Sequence, residues 1–241
     1  MTAQMQAEVI ALYDRYDFHP SVARLQTFCS EDLGAFYLDV LKDRLYTSAP
    51  RSRARRSAQT VLLHVTQTLL KLLAPILSFT TEEAWAVLCR TTLASTPVAG
   101  AVTIFTELYQ SQPDQADAGA LLSRWARLRE IRGQVMRKLE ELRSAGSIGS
   151  SLQGEVDLRA SGDDLALLKS VADQLAFIFI VSRATVHEGT GDLEIGIVPS
   201  PHQKCERCWH YKDDVGQHAD HPQICGRCVA SLEEAAGQSG L

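Results

Sequence analysis

Two CxxC pairs near the end of the chain, Cys205/Cys208 and Cys225/Cys228, are separated by sixteen residues and restrict its folding more than any other feature. Each pair can present two sulfurs to one ion, and the spacer closes the loop between them. Tetrahedral four-sulfur coordination suits zinc, and a site with no open position is structural and not catalytic. The segment "KCERCWHYKDDVGQHADHPQICGRC" (Lys204 to Cys228) has too few apolar residues to fold alone. Metal binding is therefore expected to supply its stability, on the order of 10 kcal/mol or more. Two disulfides or an iron–sulfur cluster are the competing arrangements, and the paired spacing disfavours them. His202, His210, His218 and His221 lie close enough in sequence to replace a ligand. With four cysteines available they read as surface histidines.

The compartment bears on the same choice. No apolar run has the length of a membrane span, since Lys71 and Pro75 interrupt the most apolar stretch, Leu69 to Phe79. The first residues meet Glu8, Asp14, Arg15 and Asp17 too soon for a signal peptide. A cytosolic protein is expected, where paired cysteines bind metal more readily than they form disulfides.

Upstream, the first hundred or so residues read as successive helices. "SEDLGAFYLDVLKDRLY" puts Leu33, Phe36, Tyr37, Val40 and Leu41 on one face. The next helix carries a stripe of Ala58, Val61, Leu62, Val65, Leu69, Leu72 and Leu73, and Pro75 should end or kink it. Another begins at "TTEEAW", where Thr80 and Glu83 fit a capping box. Stripes apolar on one side predict a bundle. Arg90 to Val102 reads as a loop and Gln110 to Ala120 as a linker.

A long helix follows, with Leu121, Trp125, Leu128, Ile131, Val135, Leu139 and Leu142 as its seam, stopping near Gly146 and Gly149. "GEVDLRA", "AFIFIVSRATVHEG" and "LEIGIVPS" then read as strands, with a short helix between the first two. The expected fold is mainly α: a helical bundle, a small α+β unit, and a C-terminal four-cysteine knuckle. The expected divisions are 1–112, 113–200 and 201–241.

Function must come from local surfaces, because a net charge of −5 gives no general affinity for nucleic acid. Arg207 lies between the first two cysteines, and Trp209, His210 and Tyr211 follow. Unpaired RNA bases stack on aromatic rings and guanidinium planes. A large ring beside so small a metal turn is either its core or an exposed platform, and the residues alone leave both open. "RSRARR" places Arg51, Arg53, Arg55 and Arg56 at a helix start, where cations oppose the helix dipole, which hints at phosphate contact. A solvated charge run is the plainer reading. The long helix carries Arg124, Arg127, Arg129, Arg132, Arg137, Lys138 and Arg143, a face that could follow an RNA backbone. His64 reads as a packing residue, and Cys29 and Cys89 read as buried thiols. No phosphate loop, GxSxG or HExxH motif occurs.

Taken together, the motifs resemble a known family. The stretch "FCSEDLGAFYLDVLKDRLYTSAPRSRARRSAQTVLLHVTQTLLKLLAPILSFTTEEAW" looks like the anticodon-binding helical domain of class I isoleucyl-tRNA synthetases. "LREIRGQVMRKLEELRSAGSIGSSLQGEV" resembles the helix and turn that follow there, and "KCERCWHYKDDVG" with "HPQICGRCV" resembles the C-terminal zinc motif of bacterial members. The resemblance covers essentially the whole chain. It implies one structural zinc ion on Cys205, Cys208, Cys225 and Cys228, and it maps Arg207 and Trp209 to where the anticodon loop is read. It implies a tRNA(Ile) anticodon stem-loop as partner and a monomer without membrane association. The parent reaction, ATP-dependent attachment of isoleucine to tRNA, belongs to an N-terminal domain with HIGH and KMSKS signatures. Neither signature occurs here, and the editing domain is absent too, so the helical domain is expected to be N-terminally truncated and the isolated chain inactive. A related valyl or leucyl synthetase, or a free-standing zinc-ribbon adaptor for RNA or protein, are the alternatives.

Overall fold

A computed structural model describes residues 1–92, 103–112 and 115–238. The chain divides into two compact units, one of Met1–Asp39 and Arg56–Gln115, the other of Val40–Arg55 and Ala116–Leu241.

The first unit is helical. It contains α1 (Thr2–Tyr13), α2 (Phe18–Thr27), a π-helical segment (Phe28–Leu38), most of α4 (Arg53–Leu73) and α5 (Ser78–Thr92). Met5, Val9, Leu25, Phe28, Val65 and Leu72 form its main core. The Tyr13 hydroxyl donates to the Leu72 carbonyl at 2.7 Å, tying α1 to α4. Ala74, Trp85 and Ile104 form a second, smaller core. The wide turns of the π segment break the 3.6-residue period, so the expected face Leu33, Phe36 and Tyr37 is only half-buried.

Pro75 ends α4 as expected, but α5 begins at Ser78, earlier than the "TTEEAW" signal suggests. Ser78 and Thr81 send their hydroxyls back to the Ala74 and Leu77 carbonyls. Thr80 thus lies inside the helix, where no capping box forms. His64 is exposed, as is Cys29, and Cys89 is half-buried, so these side chains are less enclosed than their positions in helical segments imply. Most of the predicted loop after Arg90 lies outside the described residues. The predicted linker is partly fastened: Gln112 donates to Thr68 and Gln6, and Gln6 donates to the Gln110 carbonyl. Its last residues, from Ala118, already belong to α6 (Ala118–Ser144).

The second unit is built on α6. Leu128, Ile131, Val135 and Leu139 are buried along the predicted seam, with Trp125 and Leu142 packed beside them, whereas Leu121 is exposed. The seam packs on a three-stranded sheet ordered β2–β1–β3, made of β1 (Gly154–Ala160), β2 (Arg183–Glu188) and β3 (Glu194–Pro199). β1 is parallel to β2 and antiparallel to β3. α3 (Asp39–Thr47), α7 (Gly162–Ser170) and α8 (Leu175–Phe179) complete this part.

The run "AFIFIV" is not strand. It forms most of α8 and a turn at Ile180, whose φ of 56° and ψ of 52° are left-handed. A short continuous apolar run carries no period that separates strand from buried helix. Leu175, Ile178, Phe179 and Val181 fill the core from above the sheet, and only then does β2 begin.

Most of the basic face of α6 is spent within this unit. Arg127 makes a bidentate contact with Asp164 on α7, at 2.8 and 2.6 Å. Arg132 donates to the Ile178 carbonyl, Lys138 to the Ile195 carbonyl and Arg124 to Ser170. Hydrogen bonds from Arg127 hold the Asp164 carboxyl below the ordinary carboxylate range. A carboxyl lowered on folding stabilises the native state above its unfolded pKa of about 3.9 and loses that effect as pH falls through the lower folded value. Amide exchange in α7 is therefore expected to accelerate below about pH 4 in the native chain, and an Asp164→Asn variant to show a smaller acid dependence there.

Candidate functional site

The knuckle begins where β4 (Gln203–Lys204) pairs antiparallel with β5 (Tyr211–Lys212). Cys205 and Cys208 lie in the turn between them. Cys225 lies just ahead of α9 (Gly226–Gln238), and Cys228 lies in its first turn. The four sulfurs all lie within 4.8 Å of one another, and all four residues are buried. The Cys205–Cys228 and Cys208–Cys225 sulfur separations are 3.8 and 3.7 Å. A disulfide needs about 2 Å. Sulfurs about 2.3 Å from a central zinc, at tetrahedral angles, sit about 3.8 Å apart. The donor set and its spacing thus fit a zinc-binding site.

The thiol chemistry agrees with this. Hydrogen bonds from Cys225 and Cys228 push the Cys208 thiol below the ordinary range. The same contacts with Cys208 push Cys225 and Cys228 up. Protons shared among sulfurs at this distance are what a divalent cation displaces on binding.

Little else holds the knuckle together. Its apolar interior is the four cysteines and Val215, with Ile224 partly buried against them. Cys205 N–H donates to the His210 carbonyl at 2.8 Å, and Trp209 N–H to the Cys205 carbonyl at 2.9 Å. The Asp214 carboxylate accepts the Gly226 N–H at 2.8 Å, satisfying a free donor at the start of α9. A Cβ at Gly226 would lie 2.8 Å from Asp214 Oδ2 and 3.0 Å from His218 Nε2. None of the four nearby histidines joins the sulfur cluster. His210 is buried with Nδ1 3.1 Å from the Cys208 carbonyl, His202 approaches Glu155 and His218 faces Asp214.

Trp209 is not part of that interior. The residue is 60% exposed, with Lys204 Nζ 5.0 Å from the ring centroid. Its indole N–H donates to the Glu206 carbonyl at 3.1 Å, and its φ is 65°. A left-handed tryptophan is costly for an L-residue and persists only where its surroundings fix it.

The other predicted residues are distributed differently. Arg207 Nη1 donates to the Thr47 carbonyl at the end of α3, at 2.6 Å. Tyr211 is half-buried, and its backbone N–H donates to Ser182 Oγ at 2.6 Å. Arg55 is half-buried and donates to the Ser48 carbonyl at 3.3 Å, whereas Arg51, Arg53 and Arg56 are exposed. Two contacts were not legible from the sequence. Arg227 makes a bidentate contact with Asp43 on α3, one bond being 2.7 Å, and Lys212 Nζ donates to the Ser182 carbonyl at 2.9 Å. Only the repeat of arginine before the second cysteine in "CERC" and "CGRC" hinted at the first.

Fold and site together define a mainly helical protein carrying a four-cysteine zinc finger. The chain belongs to the anticodon-binding domain family of tRNA ligases: residues 1–158 match the family described as "Anticodon-binding domain of tRNA ligase". Residues 203–230 match "Zinc finger found in FPG and IleRS". Isoleucine–tRNA ligase of Bordetella petrii is 67% identical over 232 residues, covering 96% of this chain and 24% of that protein. The Bordetella avium protein of the same name is 66% identical over 99% of this chain, and that of Burkholderia multivorans 57% over 97%. The chain spans about a quarter of the length of these relatives. Among the described residues no helix is long and apolar enough to cross a membrane.

Gly226→Ala is expected to loosen the knuckle, since its methyl group meets the Asp214 carboxylate. Zinc affinity, measured by competition with a chromogenic chelator, should fall by about tenfold or more, in line with an overpacking cost of about 1–3 kcal/mol. Gly237→Ala, with no heavy atom near its added Cβ, should leave affinity unchanged.

Proposed function

We propose that this chain is the tRNA-binding, C-terminal part of an isoleucine–tRNA ligase, and that it engages the anticodon stem-loop of tRNA(Ile). The observation that carries the reading is Trp209: a large ring left mostly exposed, in a strained backbone conformation, on a turn closed by four sulfurs. A ring that packs only on its metal site would be covered. Held this way, the indole meets an unpaired base with its ordering cost already met by the metal. Lys204 beside the ring and the exposed Arg51 and Arg53 supply phosphate contacts, with Arg207, His210, Tyr211 and Arg55 as less exposed members of the same RNA-binding set; the exposed Arg56, in the other unit, is a phosphate contact in its own right.

One structural zinc ion occupies the Cys205, Cys208, Cys225 and Cys228 site. Functional divisions fall near residues 112 and 200. The ligase reaction, with its ATP and isoleucine, belongs to the longer protein together with editing. The chain works in the cytoplasm as a monomer, with tRNA as its partner.

Trp209→Ala should weaken binding to an anticodon stem-loop RNA by about ten- to a hundredfold, in keeping with about 1–3 kcal/mol for one base stacked on an aromatic ring. Its zinc content should remain that of the native chain; loss of zinc with the ring would make Trp209 structural. Replacing Arg51, Arg53 and Arg56 by Gln should weaken binding of all stem-loops alike and flatten the salt dependence. In ATP–pyrophosphate exchange with isoleucine the isolated chain should show no turnover, and measurable exchange would refute that part of the proposal.

A further inference from the structure

The two halves of the knuckle repeat one pattern. Cys205-Glu206-Arg207-Cys208 and Cys225-Gly226-Arg227-Cys228 both place an arginine immediately before their second ligand. Both guanidinium groups reach the same helix, α3. Arg207 meets the Thr47 carbonyl and Arg227 grips the Asp43 carboxylate, one helical turn earlier. Residues four apart share a helix face. Thr47 Oγ1 also lies 2.8 Å from Asp43 Oδ1, so the two receiving groups form one polar face. On the metal side, Arg207 and Arg227 lie close enough to the Cys228 and Cys208 sulfurs to act on them electrostatically.

We propose that the paired CxRC turns are a metal-dependent latch, in which Arg207 and Arg227 act as positioning residues that fix α3 against the zinc finger. The physical argument is directional. A CxxC turn whose two sulfurs share an ion has no rotational freedom, so the residue before the second cysteine points one way. Two such turns bound to the same ion aim two guanidiniums at a fixed mutual spacing, and α3 supplies acceptors at that spacing. Thr47 stands at the carboxyl end of α3, where free carbonyls and the negative pole of the helix favour a cation. Four thiolates and one divalent ion carry a net charge of −2, and two guanidiniums oppose it while bonding α3 with their N–H groups.

Removing the ion has two effects. The turns lose their orientation, and the arginines lose the anionic sulfur cluster that holds them in place. α3 keeps a separate anchor, because Arg44 lies 4.0 Å over the Phe177 ring and bonds Gln174. Release is therefore expected to loosen α3 and not to unfold the unit. The latch does not depend on RNA. If the RNA-binding reading holds as well, the same contact fixes the loop that leads from α3 to Arg51 and Arg53.

The test is hydrogen exchange of the α3 amides, residues 40–47, in the full chain without RNA. Chelation of zinc should accelerate their exchange by on the order of ten- to a hundredfold, the range that loss of hydrogen bonds to charged groups produces. Asp43→Ala lies outside the knuckle. It should give a comparable acceleration while zinc content stays at the native level, and Arg227→Ala should match it. The exchanged pair Asp43→Arg with Arg227→Asp should recover much of the protection, which a general packing defect would not. Exchange in α3 that ignores both chelation and Asp43→Ala would overturn the latch, as would an exchanged pair no better than its single variants.

Discussion

Closure of four sulfurs about one point is the constraint on which the knuckle depends. The segment from Gln203 to Ala230 buries almost nothing apolar except its own cysteines, Val215, Val229 and part of Ile224. A free-standing segment of that kind cannot offset the loss of backbone freedom by burial, which costs roughly 1–2 kcal/mol per residue. Zinc ligation, at about 10–16 kcal/mol in comparable small sites, does so with four bonds. It also concentrates the constraint where it is useful. Trp209 sits one residue beyond a ligand and keeps a left-handed φ that an unconstrained tryptophan would leave. The strain and the exposure of that residue have the same source, since a turn too small to have an interior must turn a large ring outward.

Attachment of the knuckle to the rest of its unit is polar. Ser182 takes the Tyr211 N–H on its hydroxyl and the Lys212 ammonium on its carbonyl, at the point where β2 begins. Glu155, buried at the start of β1, accepts from Ser200 and pairs with Arg183, so the strand leaving β3 toward the knuckle is tied to the sheet before the metal site begins. Asp43 is a case of opposed influences. Burial, the largest single one, would raise its carboxyl, yet the bonds and charge of Arg227 together with the Thr47 hydroxyl hold it below the ordinary range. Buried carboxylates are costly when alone; here Asp43 meets Arg227 in bidentate geometry, and Glu155 meets Arg183 on one oxygen and the Ser200 hydroxyl on the other.

The parts of this structure written in short-range periodicity were legible in the sequence. The α6 seam follows from apolar residues three and four apart, Pro75 ends α4 by removing a backbone donor, and the CxxC spacing places four sulfurs together. What stayed hidden depends on partners distant in sequence. Arg207 and the Thr47 carbonyl are separated by 160 positions, and no local pattern says that one will find the other. The same holds for Arg127 with Asp164 and for the glutamines that fasten the segment near Gln112. The α8 run failed for another reason: six apolar residues in a row have no period to read, and Ile180 in a left-handed turn is not signalled by a β-branched side chain. The capping signal at Thr80 fell inside the helix, since α5 already starts at Ser78, whose hydroxyl bonds back to the Ala74 carbonyl, while Thr81 sends both its N–H and its hydroxyl to the Leu77 carbonyl.

A count of arginines therefore overstates what the protein can offer to a phosphate backbone. A chain with net charge −5 presents positive potential only locally, and a guanidinium already bonded to a carboxylate or a carbonyl contributes little to it. On α6 the cations are largely consumed by α7, α8 and β3. In the knuckle both CxRC arginines turn toward α3. Among the exposed cations of this unit, Arg51, Arg53 and Lys204 stand on a loop and a hairpin next to the segments that those consumed arginines fasten. Positive charge in this unit thus has two tasks. The paired guanidiniums fix the backbone, and exposed ones such as Arg51, Arg53 and Lys204 project from segments next to those the others hold, so a locally positive, preorganised surface is available on a protein that is acidic overall.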